Sequence, residues 1–323
     1  MERNNSLDGL KYVLISLVIL GHFIEPNRYD NQISCMLYSI IYSFHMPLFI
    51  WMNGYFYKQR DFKQELKKSL PLIEICIISH VGFTLLGHGR LTLHSLLSFN
   101  YSPSWYMLSL FIWRMASSIL FKSFCIRKLL ICAIIVEIVS FVFINKYSGY
   151  FSLMRTLQFY PYFVAGYILK NKYEDVLQNK KILYMGGGIS TIFILLTSSG
   201  LQHQIAFQRV GLLELSHLTN HNIISLWGFR YMYIASSVLI SAMVLLLASS
   251  NQTIKKVAIY GQGTLFIYFS HIFIFPIVSG HNPSFLQSLL LTITVISILT
   301  FLSTKKYCIL IMNPLSNLIN KLK

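Results

Sequence analysis

Charge is what this sequence has least of: Asp, Glu, Lys and Arg make up 12% of its 323 residues, about half the share of a soluble domain. Half of an ordinary solvated surface is missing, so water is not the chain's main solvent. Length alone suggests about two soluble domains. The 54% apolar content replaces that expectation with one polytopic membrane domain over residues 1–323, with no appended soluble domain. Cysteine is also sparse, and Cys35, Cys76, Cys125, Cys132 and Cys308 show no CxxC spacing. Neither a disulfide framework nor a zinc site is indicated, and no metal is expected. The sequence also lacks internal repeats and the dyad alternation of a membrane barrel, and open strands cannot cross lipid. An all-α bundle remains.

A bilayer core about 30 Å thick takes roughly 20 predominantly apolar residues per helix. Ten stretches qualify, at about 7–25, 35–57, 70–87, 104–121, 129–145, 150–169, 182–199, 227–248, 262–280 and 284–303. The net charge of +16 would suggest nucleic acid or another polyanion on a soluble protein. Its distribution points elsewhere. With the N-terminus cytoplasmic, 19 of the 27 basic residues fall in one set of alternate loops, and the other set holds Arg28, Arg90, Lys146 and Arg209. This asymmetry predicts ten spans with both termini cytoplasmic, facing anionic lipids rather than nucleic acid. The first apolar run carries Lys11 and ends at Gly21-His22 without a small-residue cleavage site, so it is expected to stay as the first helix. His217 and His221 have helical i,i+4 spacing but no carboxylate or Cys nearby, so they read as ordinary loop polarity rather than metal ligands.

Ionisable groups inside spans are costly, and each is a functional-site hypothesis. Lys11 and His22 lie eleven residues apart, a rotation of three turns plus about 20°, so they share one helix face about 16 Å apart along the axis. Taken alone, Lys11 reads as a snorkelling lysine and His22 as an interfacial histidine. His45 and His271 fall well inside the second and ninth spans, and Arg155, Glu74 and Glu137 are intramembrane as well. A polar cavity through the bundle accounts for all of them more economically than lipid-facing decoration.

The run Leu7-Asp8-Gly9-Leu10-Lys11, then ten residues to His22, resembles the opening of the membrane acyltransferase 3 family. The similarity continues in order through Phe44-His45-Met46-Pro47-Leu48-Phe49 with Asn53-Gly54, Trp105-Tyr106, Phe159-Tyr160-Pro161-Tyr162-Phe163 with Gly166-Tyr167, and Gly261 to Tyr268 leading to His271. Lys11 stands where Arg is more frequent in the family, and Asn53-Gly54 where a Ser-Gly pair is common.

The resemblance implies a ten-span O-acyltransferase of the bacterial inner membrane, a stand-alone polysaccharide O-acetyltransferase type. It would move an acyl group, commonly acetyl, from cytoplasmic acyl-CoA such as acetyl-CoA to a hydroxyl of a surface glycan or lipid-linked saccharide, as in O-antigen or capsule biosynthesis. Within it, Lys11, Lys67, Lys68 and Arg155 are the expected contacts to the phosphate-rich donor. His22, with His45, is the expected catalytic group, as general base or transient acyl carrier. His45, Asn53 and Tyr106 are candidate donors to the thioester oxygen, and His271 is a further polar group in the path. The acceptor sugar and the oligomeric state stay open. The competing reading is a transporter or flippase with a histidine-lined path, which would carry inverted repeats and broken helices; the sequence shows neither.

Overall fold

The computed structural model describes residues 4–99, 102–143, 150–198, 211–219 and 221–304. Among them the fold is all-helical, with one isolated β-bridge between Ser98 and Tyr150 and no strand. The longer helices are α1 (Asn5–Ile24), α2 (Gln32–Phe56), α3 (Phe62–His88), α4 (Trp105–Ser123), α5 (Ile126–Phe143), α6 (Leu153–Ile168), α7 (Lys180–Leu196), α8 (Ile223–Ser250), α9 (Thr264–Gly280) and α10 (Phe285–Ser303). They coincide with the ten apolar stretches of the sequence. Six segments are long and apolar enough to cross a membrane by length and composition: 5–28, 32–56, 62–87, 223–250, 252–280 and 285–303. Of the others, α6 and α7 have only 16 and 17 residues, and α5 carries Arg127, Lys128 and Glu137. The chain is a multi-pass membrane protein by these helices. His217 lies exposed on the short helix Leu212–Thr219.

Asparagine starts several of these helices by meeting an otherwise orphaned backbone N–H. Asn4 accepts from Leu7 at the head of α1, Asn31 from Ser34 at α2, and Asn222 from Ile224 at α8. A reciprocal capping box between Ser284 and Gln287 opens α10. The first helix lies at the centre of the bundle, with Leu10, Leu14, Ile15, Ile19, Phe23 and Ile24 all wholly buried. It packs against α2, α8, α9 and α10. Helix α2 meets α6 at a very close crossing, where a Cβ on Gly54 would strike the Phe163 carbonyl and one on Gly166 the Trp51 carbonyl. Close backbone approach of this kind is what small residues permit between membrane helices.

Glu137, noted in the sequence as intramembrane, forms a structural pair with Arg230. Arg230 on α8 donates to Glu137 on α5 at 2.5 Å, and the Tyr231 hydroxyl donates to the other carboxylate oxygen at 3.1 Å. Arg230 is 1% exposed and stacks on Phe141, 3.9 Å from its centroid. Removing one partner of such a pair strands a buried charge, at a cost of about 3–5 kcal/mol. Arg230→Leu is therefore expected to lower the unfolding midpoint in detergent substantially, and the double replacement Arg230→Leu/Glu137→Leu to recover most of it. Glu74 has both carboxylate oxygens buried without a hydrogen-bond partner among the described residues, and it lines neither cavity of the candidate site.

Candidate active site

Two adjoining cavities open the bundle at the end that carries the 57–61 connection. The larger, about 360 Å³, is bounded by Asp8 and Lys11 of α1, Asn53 of α2, Tyr106 and Arg114 of α4, and Tyr268 of α9, among others. The smaller, about 170 Å³, is lined by Lys58, Arg60, Lys68 and Arg114. Asn53, Phe56, Leu110 and Arg114 border both, so a basic mouth leads into a deeper chamber.

The mouth is held open by a carboxylate. Glu65, wholly buried, accepts from Arg114 Nε at 2.6 Å, from Arg60 Nη1 at 3.2 Å and from the Ser69 hydroxyl at 3.0 Å. Two guanidinium groups are thereby fixed by one anion, and Lys58 and Lys68 add further positive charge to the lining. Just beside them, Lys170 donates to the Tyr57 carbonyl at 2.9 Å. Burial, with a smaller contribution from the Lys58 ammonium, pushes Lys170 below the usual lysine value.

Deeper in, Lys11 pairs with Asp8 at 2.9 Å and lies 3.7 Å from the Phe56 ring centroid. Its charge is thus partly balanced within the chamber wall. The chamber ends at two tyrosines. Asn53 donates to the Tyr106 hydroxyl at 2.6 Å and to the Phe49 carbonyl at 2.8 Å. Both amide protons of Asn53 are committed, and the Tyr106 hydroxyl, having accepted, keeps its own proton to donate. The Tyr268 hydroxyl donates to the Pro103 carbonyl.

A line of rings continues from that floor: Tyr106 to Tyr268 at 5.4 Å between centroids, Tyr268 to His271 at 5.2 Å, and His271 to His22 at 5.6 Å in a stacked arrangement. His271 is wholly buried, with neither ring nitrogen hydrogen-bonded among the described residues. His22 is partly open, 18% exposed. Its Nδ1 lies 3.3 Å from the Tyr42 hydroxyl and 3.6 Å from Glu25. His45 is buried one turn beyond Tyr42; its Nδ1 contacts the Ile41 carbonyl at 2.6 Å, and its ring meets Tyr42 edge-on.

The fold therefore brings together His22, His45 and His271 at one level, and Lys11, Lys68, Asn53 and Tyr106 at the cavities. Lys67 and Arg155 line neither cavity. Lys67 is exposed on the outer side of α3. Arg155 is buried at the start of α6 against the Trp105 ring, 4.9 Å from its centroid, and interacts electrostatically with Tyr268 of the chamber floor. Sequence reasoning passed over Glu25, Tyr42 and Glu65, and it quoted Tyr268 only as part of the run leading to His271. Helical spacing was the available signal: Glu25 follows His22 by three positions, Tyr42 precedes His45 by three, and Ser69 follows Glu65 by four.

The acyltransferase domain family, acyltransferase 3, matches residues 4–304, and the chain belongs to that family. Among curated proteins it is similar to the nodulation protein NolL of Sinorhizobium fredii, 40% identical over 57 residues. That match covers 17% of this chain and 16% of the relative. No solved structure matches the chain.

Proposed function

We propose that the chain is an integral membrane O-acyltransferase that takes an acyl group, acetyl in the simplest case, from cytoplasmic acyl-CoA and places it on a hydroxyl of a cell-surface glycan or lipid-linked saccharide. In this reading all ten long helices span the bacterial inner membrane, the mouth and both termini face the cytoplasm, and His22 lies toward the opposite face. The observation that carries the proposal is the basic mouth of Lys58, Arg60, Lys68 and Arg114 leading to a chamber whose floor continues, ring by ring, to His22. A phosphate-rich nucleotide suits the mouth, because Arg presents a fixed fork of donors and Lys a mobile point charge. A pantetheine arm suits the deeper chamber, and the roughly 16 Å rise from Lys11 to His22 is comparable to that arm fully extended.

In the reaction, His22 Nε2 accepts the proton of the acceptor hydroxyl as its oxygen attacks the thioester carbonyl. The carbon–sulfur bond then breaks, the imidazolium returns the proton to the leaving thiolate, and the products are an ester and CoA thiol. Negative charge gathers on the carbonyl oxygen meanwhile, and donors to it must lie at the level of His22; Tyr106, three ring contacts away, instead lines the chamber that takes the donor's arm. Tyr106→Phe is expected to raise donor KM by up to about tenfold, the weight of one hydrogen bond, with kcat little changed; steady-state release of CoA thiol measures both. Mass spectrometry of envelope glycans from cells with and without the gene tests the whole proposal. Loss of an O-acyl increment supports it, and an unchanged glycan profile in a strain that expresses the protein refutes it.

A further inference from the structure

His22 stands among more titratable groups than a lone base requires. Its own chain, continuing through the 3-10 turn Glu25–Arg28, supplies Glu25 and Arg28; α2 supplies Tyr42 and His45, and α9 supplies His271. Four distances define the cluster. The Tyr42 hydroxyl lies 3.3 Å from His22 Nδ1 and 3.5 Å from Glu25 Oε2. Glu25 Oε2 is 3.6 Å from the same Nδ1, and Glu25 Oε1 is held by Arg28 at 3.0 Å. Glu25 and His22 are similarly sheltered, at 19% and 18% exposure.

Two arrangements satisfy these distances: the Tyr42 hydroxyl donates to His22 Nδ1 and the ring proton sits on Nε2, or it donates to Glu25 and meets His22 with a lone pair. In the second, Nδ1 faces two acceptors and carries the ring proton, which leaves the lone pair on Nε2. A base acting through Nε2 requires the second.

We infer that Glu25 is the positioning residue of the site: through Tyr42 and directly, it fixes His22 in the Nδ1-protonated tautomer with Nε2 free to take the acceptor's proton, and it balances the imidazolium formed when that proton arrives. Arg28 holds the carboxylate in turn. The inference rests on the acyltransferase reading with His22 as the base.

The test compares wild type with Glu25→Gln, Glu25→Asp, Tyr42→Phe and the double variant Glu25→Gln/Tyr42→Phe, assayed for acyl-CoA-dependent ester formation per molecule of monodisperse purified protein. Glu25→Gln keeps the shape and loses the anion. It is expected to lower kcat about 30-fold, within the range for partners that orient a functional histidine, with donor KM unchanged because the donor cavities are elsewhere. Glu25→Asp is expected to recover most of the loss. The double variant is expected to be no slower than Glu25→Gln, since both changes act through one nitrogen. A kcat for Glu25→Gln within twofold of wild type overturns the inference, as does a double variant whose losses multiply or a donor KM that rises in step with the fall in kcat. A parallel His22→Ala control separates the two ideas: if that variant stays active, the role of His22 fails first. If it is inactive while Glu25→Gln is normal, only the positioning role fails.

Discussion

His22→Ala is expected to reduce acyl transfer by about 10³-fold, the middle of the range for removing a positioned acid–base group, while insertion, expression and donor KM stay near wild type. The structural grounds for a clean loss are local. His22 is partly open rather than wedged in the core, and its polar contacts among the described residues include the Tyr42 hydroxyl and the Glu25 carboxylate. Those two groups contact each other, and Arg28 retains its own hold on Glu25. Truncation therefore strands no buried charge. The packing of α1 rests on Leu10, Leu14, Ile15 and Ile19, which the substitution does not touch. Steady-state assays with proteoliposomes, alongside thermal unfolding in detergent, check both halves of this expectation.

The second large effect belongs to the mouth. Lys58 and Lys68 line the smaller cavity with Arg60 and Arg114, yet the carboxylate that organises the mouth, Glu65, is held by the two arginines and Ser69. The lysines can be removed without exposing Glu65 to an unpaired state, whereas Arg114→Ala would confound binding with folding. Each charge-assisted contact to a phosphate is worth about 1.5–3 kcal/mol. Lys58→Ala/Lys68→Ala is therefore expected to raise donor KM by about 10²-fold with kcat little changed. The residual affinity should also depend less steeply on ionic strength, because fewer screened charges remain. An acyl-pantetheine lacking the nucleotide serves as the control substrate, and its KM should be the same for wild type and variant.

Much of the architecture follows from the hydropathy pattern, because in lipid a backbone must satisfy its own hydrogen bonds and helices are the only open-chain way to do so. Nine of the apolar stretches begin within about four residues of a helix in the structure. The exception is α3, which starts at Phe62, eight residues ahead of the stretch read as beginning near 70. There the helix runs on through Lys63, Glu65, Lys67 and Lys68, where hydropathy stops but helix propensity does not. The placement of Lys11 and His22 on one face was legible for the same reason, since it depends only on helical geometry within one element.

Partners supplied by another helix were not legible. Glu65 sits between lysines and reads as a solvated face; it is buried because Arg114, 49 positions away, folds over it. Arg155 and Lys67 reverse the case. As cations near apolar segments they resemble Lys68 in sequence, and only the structure shows Lys67 exposed and Arg155 buried against Trp105, within electrostatic reach of Tyr268, with neither lining a cavity. Glu137 looked like part of the polar path until Arg230 claimed it.

One measurement tests the central claim most directly: release of free CoA thiol by inside-out membrane vesicles supplied with acetyl-CoA, compared for wild type, His22→Ala and vesicles without the protein. The account predicts thiol release that requires a saccharide acceptor, matches ester formed one to one, and falls to background in His22→Ala. Thiol release by the wild type no greater than in vesicles without the protein, or equal release by His22→Ala, would contradict it.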